Sequence, residues 1–250
     1  MNYIWLLILS VLIVSCKPEN RCDCFKSNAN QITVTRNLPA FQELVISSVF
    51  DVEWICDSIY NVSVTCGEKL EQNIKTEIIE STLPGSDILE IENKNKCNWV
   101  RSQEKKIKIV VRSPSLSTIR ILSPCDFLAK DTIKTEVLKV DDYAGVSKVE
   151  ITADCYTLYF SVHAGNGLFT LHGKSAVAFY YGFGNCHLHF DNMVADYCYM
   201  TSNSTGQSYI NVSKELGVTI KGRGNVYYKG NPYKVDKQEE GEGKLICVSP

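Results

Sequence analysis

Three of the four histidines in this 250-residue chain cluster as His172, His187 and His189. In the alternating segments around them, Phe169, Leu171, Leu188 and Phe190 share one face and the imidazoles the other. His172 and His189 each stand five residues after a glycine, Gly167 and Gly184. If each of those glycines marks one lap of a coil, the two rings stack about 5 Å apart with His187 alongside. Imidazoles at that separation can hold a divalent metal. No carboxylate occupies a comparable slot, so an ordinary exposed ladder competes with the metal reading, and no cofactor is expected.

Carboxylates and aromatics are the other groups with chemical potential. A glycosidase needs two carboxyls roughly 5–10 Å apart. Asp131, Asp191 and Asp154 fall six, seven and nine residues after their respective corners, at 125, 184 and 145, so they do not stack. Glu150, Asp196 and Glu215 are scattered, and Glu239-Glu240 belongs to a polar terminal run. The pattern favours a non-enzymatic protein, with a polysaccharide-processing lyase or glycosidase as the alternative. Tyr159, Tyr180, Tyr181, Tyr197, Tyr199, Tyr227 and Tyr228 make the same half rich in tyrosine. Outward rings can stack on sugars, although alternation turns about half of them inward. There is no phosphate loop, no G-x-S-x-G and no Cys–His pair at a recognisable spacing. A net charge of −2 leaves no footprint for nucleic acid.

The elements that must position these groups are legible from glycine. Gly165-Asn166-Gly167, Gly182-Phe183-Gly184, Gly222-Arg223-Gly224 and Gly241-Glu242-Gly243 recur with weaker copies at Ala144-Gly145 and Thr205-Gly206, and Cys125 fills an earlier slot. Taking 125, Gly145, Gly167, Gly184, Gly206, Gly224 and Gly243 as corners gives steps of 20, 22, 17, 22, 18 and 19 residues. A period near twenty suits one turn of a β-solenoid. Glycine suits its corners because they require positive φ, and because stacked coils bring backbones to about 4.8 Å. The competing architecture is a β-sandwich with antiparallel, glycine-rich hairpins. Thirteen of the fifteen glycines follow residue 144, and no helical period is sustained, so the chain reads as all-β.

Upstream the text is strand-like without the glycine phrase. Phe50–Cys56 and Asn61–Cys66 alternate around Asp57-Ser58-Ile59-Tyr60 as a hairpin or tight corner. Glu68–Asn73 reads as a short helical turn. Ile74–Ile79, Ile88–Glu92 and Lys105–Val111 are further strands, with a turn at Leu83-Pro84-Gly85-Ser86.

Residues 1–15 form an export signal, with an apolar run from Tyr3 to Ser15 too short to span a bilayer. It ends in Ile13-Val14-Ser15-Cys16, which resembles a bacterial lipobox; Cys16 would carry the acyl chains, each buried methylene contributing about 0.8 kcal/mol to anchoring. No Lys or Arg precedes the apolar run. Residues 16–30 read as a polar tether, and 31–250 as one solenoid domain. Ten further cysteines fit full pairing in an oxidising compartment, or free buried thiols acting as small hydrophobes.

The segments Phe50-Asp51-Val52-Glu53 and Lys108–Leu116, the glycine corners and the ending Gly222–Pro232 leading into Gly241-Glu242-Gly243-Lys244 resemble the auto-transporter adhesin, head GIN domain family of Bacteroidetes-type exported proteins, over about residues 37–247. Ser123, Tyr143 and Ser204 replace the first glycine of the phrase, and Cys125 the second. The resemblance implies a right-handed, single-stranded parallel β-helix on an envelope lipoprotein, without assigned catalytic residues. The expected partners are a membrane, through the lipid anchor, and a glycan or surface protein; the expected location is the outer membrane. Asp57-Ser58-Ile59 and Asp131-Thr132-Ile133 match a short pattern O-glycosylated in such proteins, which marks Ser58 and Thr132 as candidate acceptors.

Overall fold

The computed structural model describes residues 30–81, 86–96 and 106–248. The export signal, Cys16, the tether, Cys22, Cys24, Cys97 and most of the Leu83-Pro84-Gly85-Ser86 turn lie outside the described residues. No helix among the described residues is long and apolar enough to cross a membrane.

The chain forms a β-solenoid of about six turns. Its regular part comprises β9 (Cys125–Asp142), β10 (Gly145–Val162), β11 (Gly165–Ser204), β12 (Ser208–Ile220), β13 (Val226–Lys229), β14 (Lys234–Glu239) and β15 (Leu245–Cys247). Every pairing among these elements is parallel. Gly145 lies beside Gly165 and Val162 beside Gly182, so this lap takes twenty residues throughout. The antiparallel sandwich is thereby excluded for this half.

The N-terminal part is built differently. It contains β1 (Gln31–Asn37), β2 (Glu43–Ile46), β3 (Phe50–Cys56), β4 (Asn61–Gly67), β5 (Ile74–Ile79), β6 (Ile88–Asn93), β7 (Lys108–Ser113) and β8 (Thr118–Ile121), with a 3-10 turn at Glu71–Asn73. β2 lies parallel between β6 and β8, and β3 parallel between β7 and β9. β1, β4 and β5 cap this end through antiparallel pairings with β4, β7 and β6 respectively. The hairpin expected of β3 and β4 does not form, because β7 is inserted between them. Alternation fixes which face of a strand is buried but not which strand lies beside it.

Inward residues stack in columns. Val52, Phe127, Val149 and Phe169 succeed one another from coil to coil, and Phe160 meets Phe169 and Phe190 edge-on at 5.5 and 4.9 Å. Each fully buried Phe contributes about 1.5–3 kcal/mol. Trp54, the largest buried side chain, donates its indole N–H to Ser113 Oγ at 2.9 Å.

The glycine corner resolves into two columns. In the first, Gly165 packs on Gly145, Gly184 on Gly165, Gly222 on Ser204 and Gly241 on Gly222. In the second, Cys125, Ser147 and Gly167 are in register; further on, Gly206 packs on Cys186, Gly224 on Gly206 and Gly243 on Gly224. Gly145 and Gly184 therefore belong to the first column, and Ser147 and Cys186 replace them in the second, which narrows the steps to between 18 and 22 residues. The physical reason for glycine also differs. Gly145, Gly165 and Gly184 have φ near +80°, whereas a Cβ on Gly224 would strike the Gly206 carbonyl of the coil beneath.

Candidate ligand-binding groove

Each lap carries an outward row two residues apart, and parallel register turns those rows into columns. On one face, Lys139, Tyr159, Phe179, Tyr199, Gly217 and Asp236 form one column. Beside it Asp141, Ser161 and Tyr181 are in register, and further along Thr201, Thr219 and Gln238. Tyr159 and Phe179 stack at 5.0 Å and 9°, and Phe179 and Tyr199 at 5.5 Å and 24°. Strand spacing imposes that separation, and such ring pairs contribute about 0.5–1.5 kcal/mol beyond burial. Yet Tyr159, Phe179 and Tyr199 stay 38%, 37% and 42% exposed. They line an open groove of about 920 Å³ that continues over Thr201, Thr219 and Gln238. Among its described lining residues Asp236 is the single carboxylate, 3.0 Å from Lys234 Nζ.

At the edge of this face is a polar cluster that the sequence reading passed over. His163 stacks on Tyr143 at 4.2 Å, with Tyr181 5.8 Å away. His163 Nε2 and Lys139 Nζ each stand 3.1 Å from Asp141, whose side chain is 5% exposed. Asp142, 1% exposed, accepts the Ala144 N–H at 2.6 Å. Burial raises the Asp142 carboxyl above its ordinary value, partly offset by the Ala144 N–H, Ser147 and His163. The available signal was the repeat itself: the step that pairs Gly145 with Gly165 also places Tyr143 against His163.

The predicted histidine stack does not form. Gly184 lies on Gly165, a step of 19 that sets Thr170 rather than His172 beneath His189. His172 lies beside Thr152, and His189 begins a different ladder, 5.3 Å from Tyr209, which is 5.0 Å from Tyr227. Counting from Gly167 and Gly184, which belong to different columns, produced the false alignment. His187 points outward beside buried Leu188, and no described set of three or more His, Cys, Asp or Glu is arranged to hold a metal.

The seven described cysteines are free thiols. Cys56 and Cys247 are exposed; the other five are buried. Burial pushes the Cys66 and Cys155 thiols up to about 11, and raises Cys125 and Cys198 further. Such thiols act as small hydrophobes rather than nucleophiles. Of the glycosylation candidates, Ser58 is exposed in the turn after β3, whereas Thr132 is half-buried in β9 beside Thr152. Asp131 is engaged as well, accepting the Cys56 N–H at 3.0 Å. Tyr180 is buried in the core, in contrast to its outward neighbours.

The family model described as "Putative auto-transporter adhesin, head GIN domain" matches residues 40–232. The chain belongs to this family. No curated protein matches it. Among solved structures, this head GIN chain is similar to a putative adhesin from Bacteroides fragilis, at 20% identity and a TM-score of 0.76, covering 88% of this chain and 98% of the other. A putative adhesin from Parabacteroides merdae is similar at 18% identity and a TM-score of 0.68, covering 89% and 98%. A putative lipid binding protein from Parabacteroides distasonis aligns at 19% identity and a TM-score of 0.63, covering 88% and 98%. At these identities the likeness establishes the fold that this head GIN chain shares with them.

Proposed function

We propose that the protein is a non-enzymatic adhesin of the cell envelope, anchored in the outer membrane by acyl chains on Cys16 and binding glycan along its aromatic groove. The observation that carries this reading is the Tyr159–Phe179–Tyr199 ladder, kept exposed along the groove on a stack of parallel coils. Aromatic rings receive the apolar faces of sugars, and the neighbouring hydroxyl and carboxamide groups can hydrogen-bond their hydroxyls. A rigid solenoid loses little conformational freedom when it binds. The adhesin description of the family points the same way. The polysaccharide-processing alternative gains no support from a groove whose described lining offers one carboxylate, where the usual mechanism uses two.

The test is a glycan array probed with the detergent-solubilised protein, with phospholipid vesicles as the comparison arm because one structural relative is named for lipid binding. Array hits weakened about tenfold by Tyr199→Ala support the reading, whereas absence of glycan binding, with vesicle binding that persists in Cys16→Ala protein lacking the acyl anchor, overturns it. For the anchor, Cys16→Ala is expected to move the protein from the membrane to the soluble fraction; unchanged membrane association would count against acylation.

A further inference from the structure

The corner that precedes β3, β9 and β10 carries an apolar ridge. Val49, Pro124 and Val146 form one row along it, because the residues that follow them, Phe50, Cys125 and Ser147, lie side by side. Val49 and Val146 are 58% and 61% exposed, and Pro124 is exposed between them. A second row beside the first runs through Leu122, Tyr143, His163 and Phe183, with Leu122, Tyr143 and Phe183 exposed. None of these side chains lines the aromatic groove. Exposed apolar side chains in contiguous rows mark a docking surface, and this one is a convex corner rather than a furrow.

The place where the chain enters the fold points to what covers the ridge. β1 joins the same sheet through β4 and β7, so that Thr33, Thr65, Lys108 and Asp51 lie in line across it. Gln31 is therefore level with Val49, three strand spacings or about 14 Å away. It stands fifteen residues after Cys16, a length of chain that reaches at most ~50 Å. The tether thus leaves the solenoid on the edge that carries the ridge, at the end where the ridge begins. On the coil beyond Val146 the first row turns polar at Asn166. Charge agrees with a lipid surface. Asp51 and Asp126, the outward residues next after Val49 and Pro124, share Lys106 at 3.1 and 2.5 Å. Lys148 stands exposed beside Val146, where it can meet lipid phosphates.

We propose that this corner is a membrane-docking ridge, its apolar tips seated among the headgroups of the leaflet that holds the Cys16 acyl chains, with the solenoid axis lying along the surface. The inference rests on the lipid-anchor part of the reading above and adds an orientation to it. A fluid bilayer closes around a convex row of separate side chains, whereas a protein partner would have to offer a matching furrow. Tyr143, apolar in body and polar at its tip, suits that interface. The rows are too short to replace the acyl chains; they orient a protein that the anchor already holds.

The experiment reconstitutes the acylated full-length protein into phosphatidylethanolamine–phosphatidylglycerol vesicles with brominated acyl chains, which quench any tryptophan that enters the lipid. A tryptophan is placed on the ridge by Val146→Trp, or at the far end of the solenoid by Tyr233→Trp, and the wild-type signal is subtracted. The added fluorescence is expected to fall by about half or more at 146 and by less than about a tenth at 233. Leu122→Trp reads the second row should Val146→Trp not fold. Adding Val49→Asp to Val146→Trp is expected to cut the quenching about twofold. Equal quenching at 146 and 233, in protein that floats with the vesicles, would overturn the ridge and leave the anchor and groove readings intact. Protein that does not float with the vesicles would overturn anchor and ridge together, while the glycan array still decides the groove by itself.

Discussion

At the scale of single residues, Asp142 is the clearest conflict between burial and charge. Its carboxyl is more readily protonated in the folded protein than in the unfolded chain, because burial penalises the ion more than its partners compensate it. The stability it contributes is fully present below the unfolded value near 3.8 and is lost as pH rises through the raised folded value. Asp142→Asn keeps an oxygen to accept the Ala144 N–H and removes the charge. The variant is expected to melt higher than wild type at pH 7, with the gap closing below about pH 4; an equal gap at both pH values would contradict the account. Residue type announced some of this molecule and hid the rest. Inward Leu188 and Phe190 were legible from alternation, as was the outward direction of His187 and His189. Which residue lay across the next coil was not, because a lap varies between about 18 and 22 residues and an error of two displaces every outward neighbour by one column. The His172–His189 stack failed for that reason, and the Tyr143–His163 contact was missed although its twenty-residue step was in plain view.

At the scale of elements, one carboxylate ties together the two strands of the last coil, beside the backbone ladder that pairs β15 with β13. Glu239, at the end of β14, accepts the Leu245 N–H at the start of β15 at 3.0 Å and pairs with Lys244 and Lys237 at 3.2 and 3.3 Å. The Leu245 N–H, then Lys244, hold its carboxyl down at about 2. This contribution is present above the ordinary value of 4.5 and is lost as pH falls towards 2. Glu239→Gln is expected to speed amide exchange in β15 at pH 7 while leaving β10 unchanged; equal protection of β15 in both proteins would refute the clasp. Strands were easier to read than their partners. β5 runs over the six residues that alternation assigned to it, Ile74–Ile79, whereas β3 and β4, adjacent in sequence, are separated in space by β7.

At the scale of the whole molecule, stability is shared between neighbouring laps, so a disturbance at a corner spreads along the stack. In the second glycine column the coils touch backbone to backbone, and a methyl group at Gly224 has no place to go. Gly224→Ala is expected to lower stability by about 2 kcal/mol or more, read from urea unfolding. A midpoint within error of wild type would show that the laps can part without penalty. The period that announced the solenoid reflects this contact as well as positive φ, and at Ser204, Ser147 and Cys186 the same columns carry a side chain instead.

The order of laps along the axis has a consequence for how the chain is made. β2 and β3 are flanked by β6 and β7 on one edge and by β8 and the start of β9 on the other, although both flanks are translated later. On the ribosome this segment therefore emerges with Leu44, Val52 and Trp54 ready for burial and neither neighbour yet synthesised. Assembly cannot proceed as a winding from one terminus. It must wait for distant sequence to close over an early strand pair, which is the slow and aggregation-exposed step of such a topology.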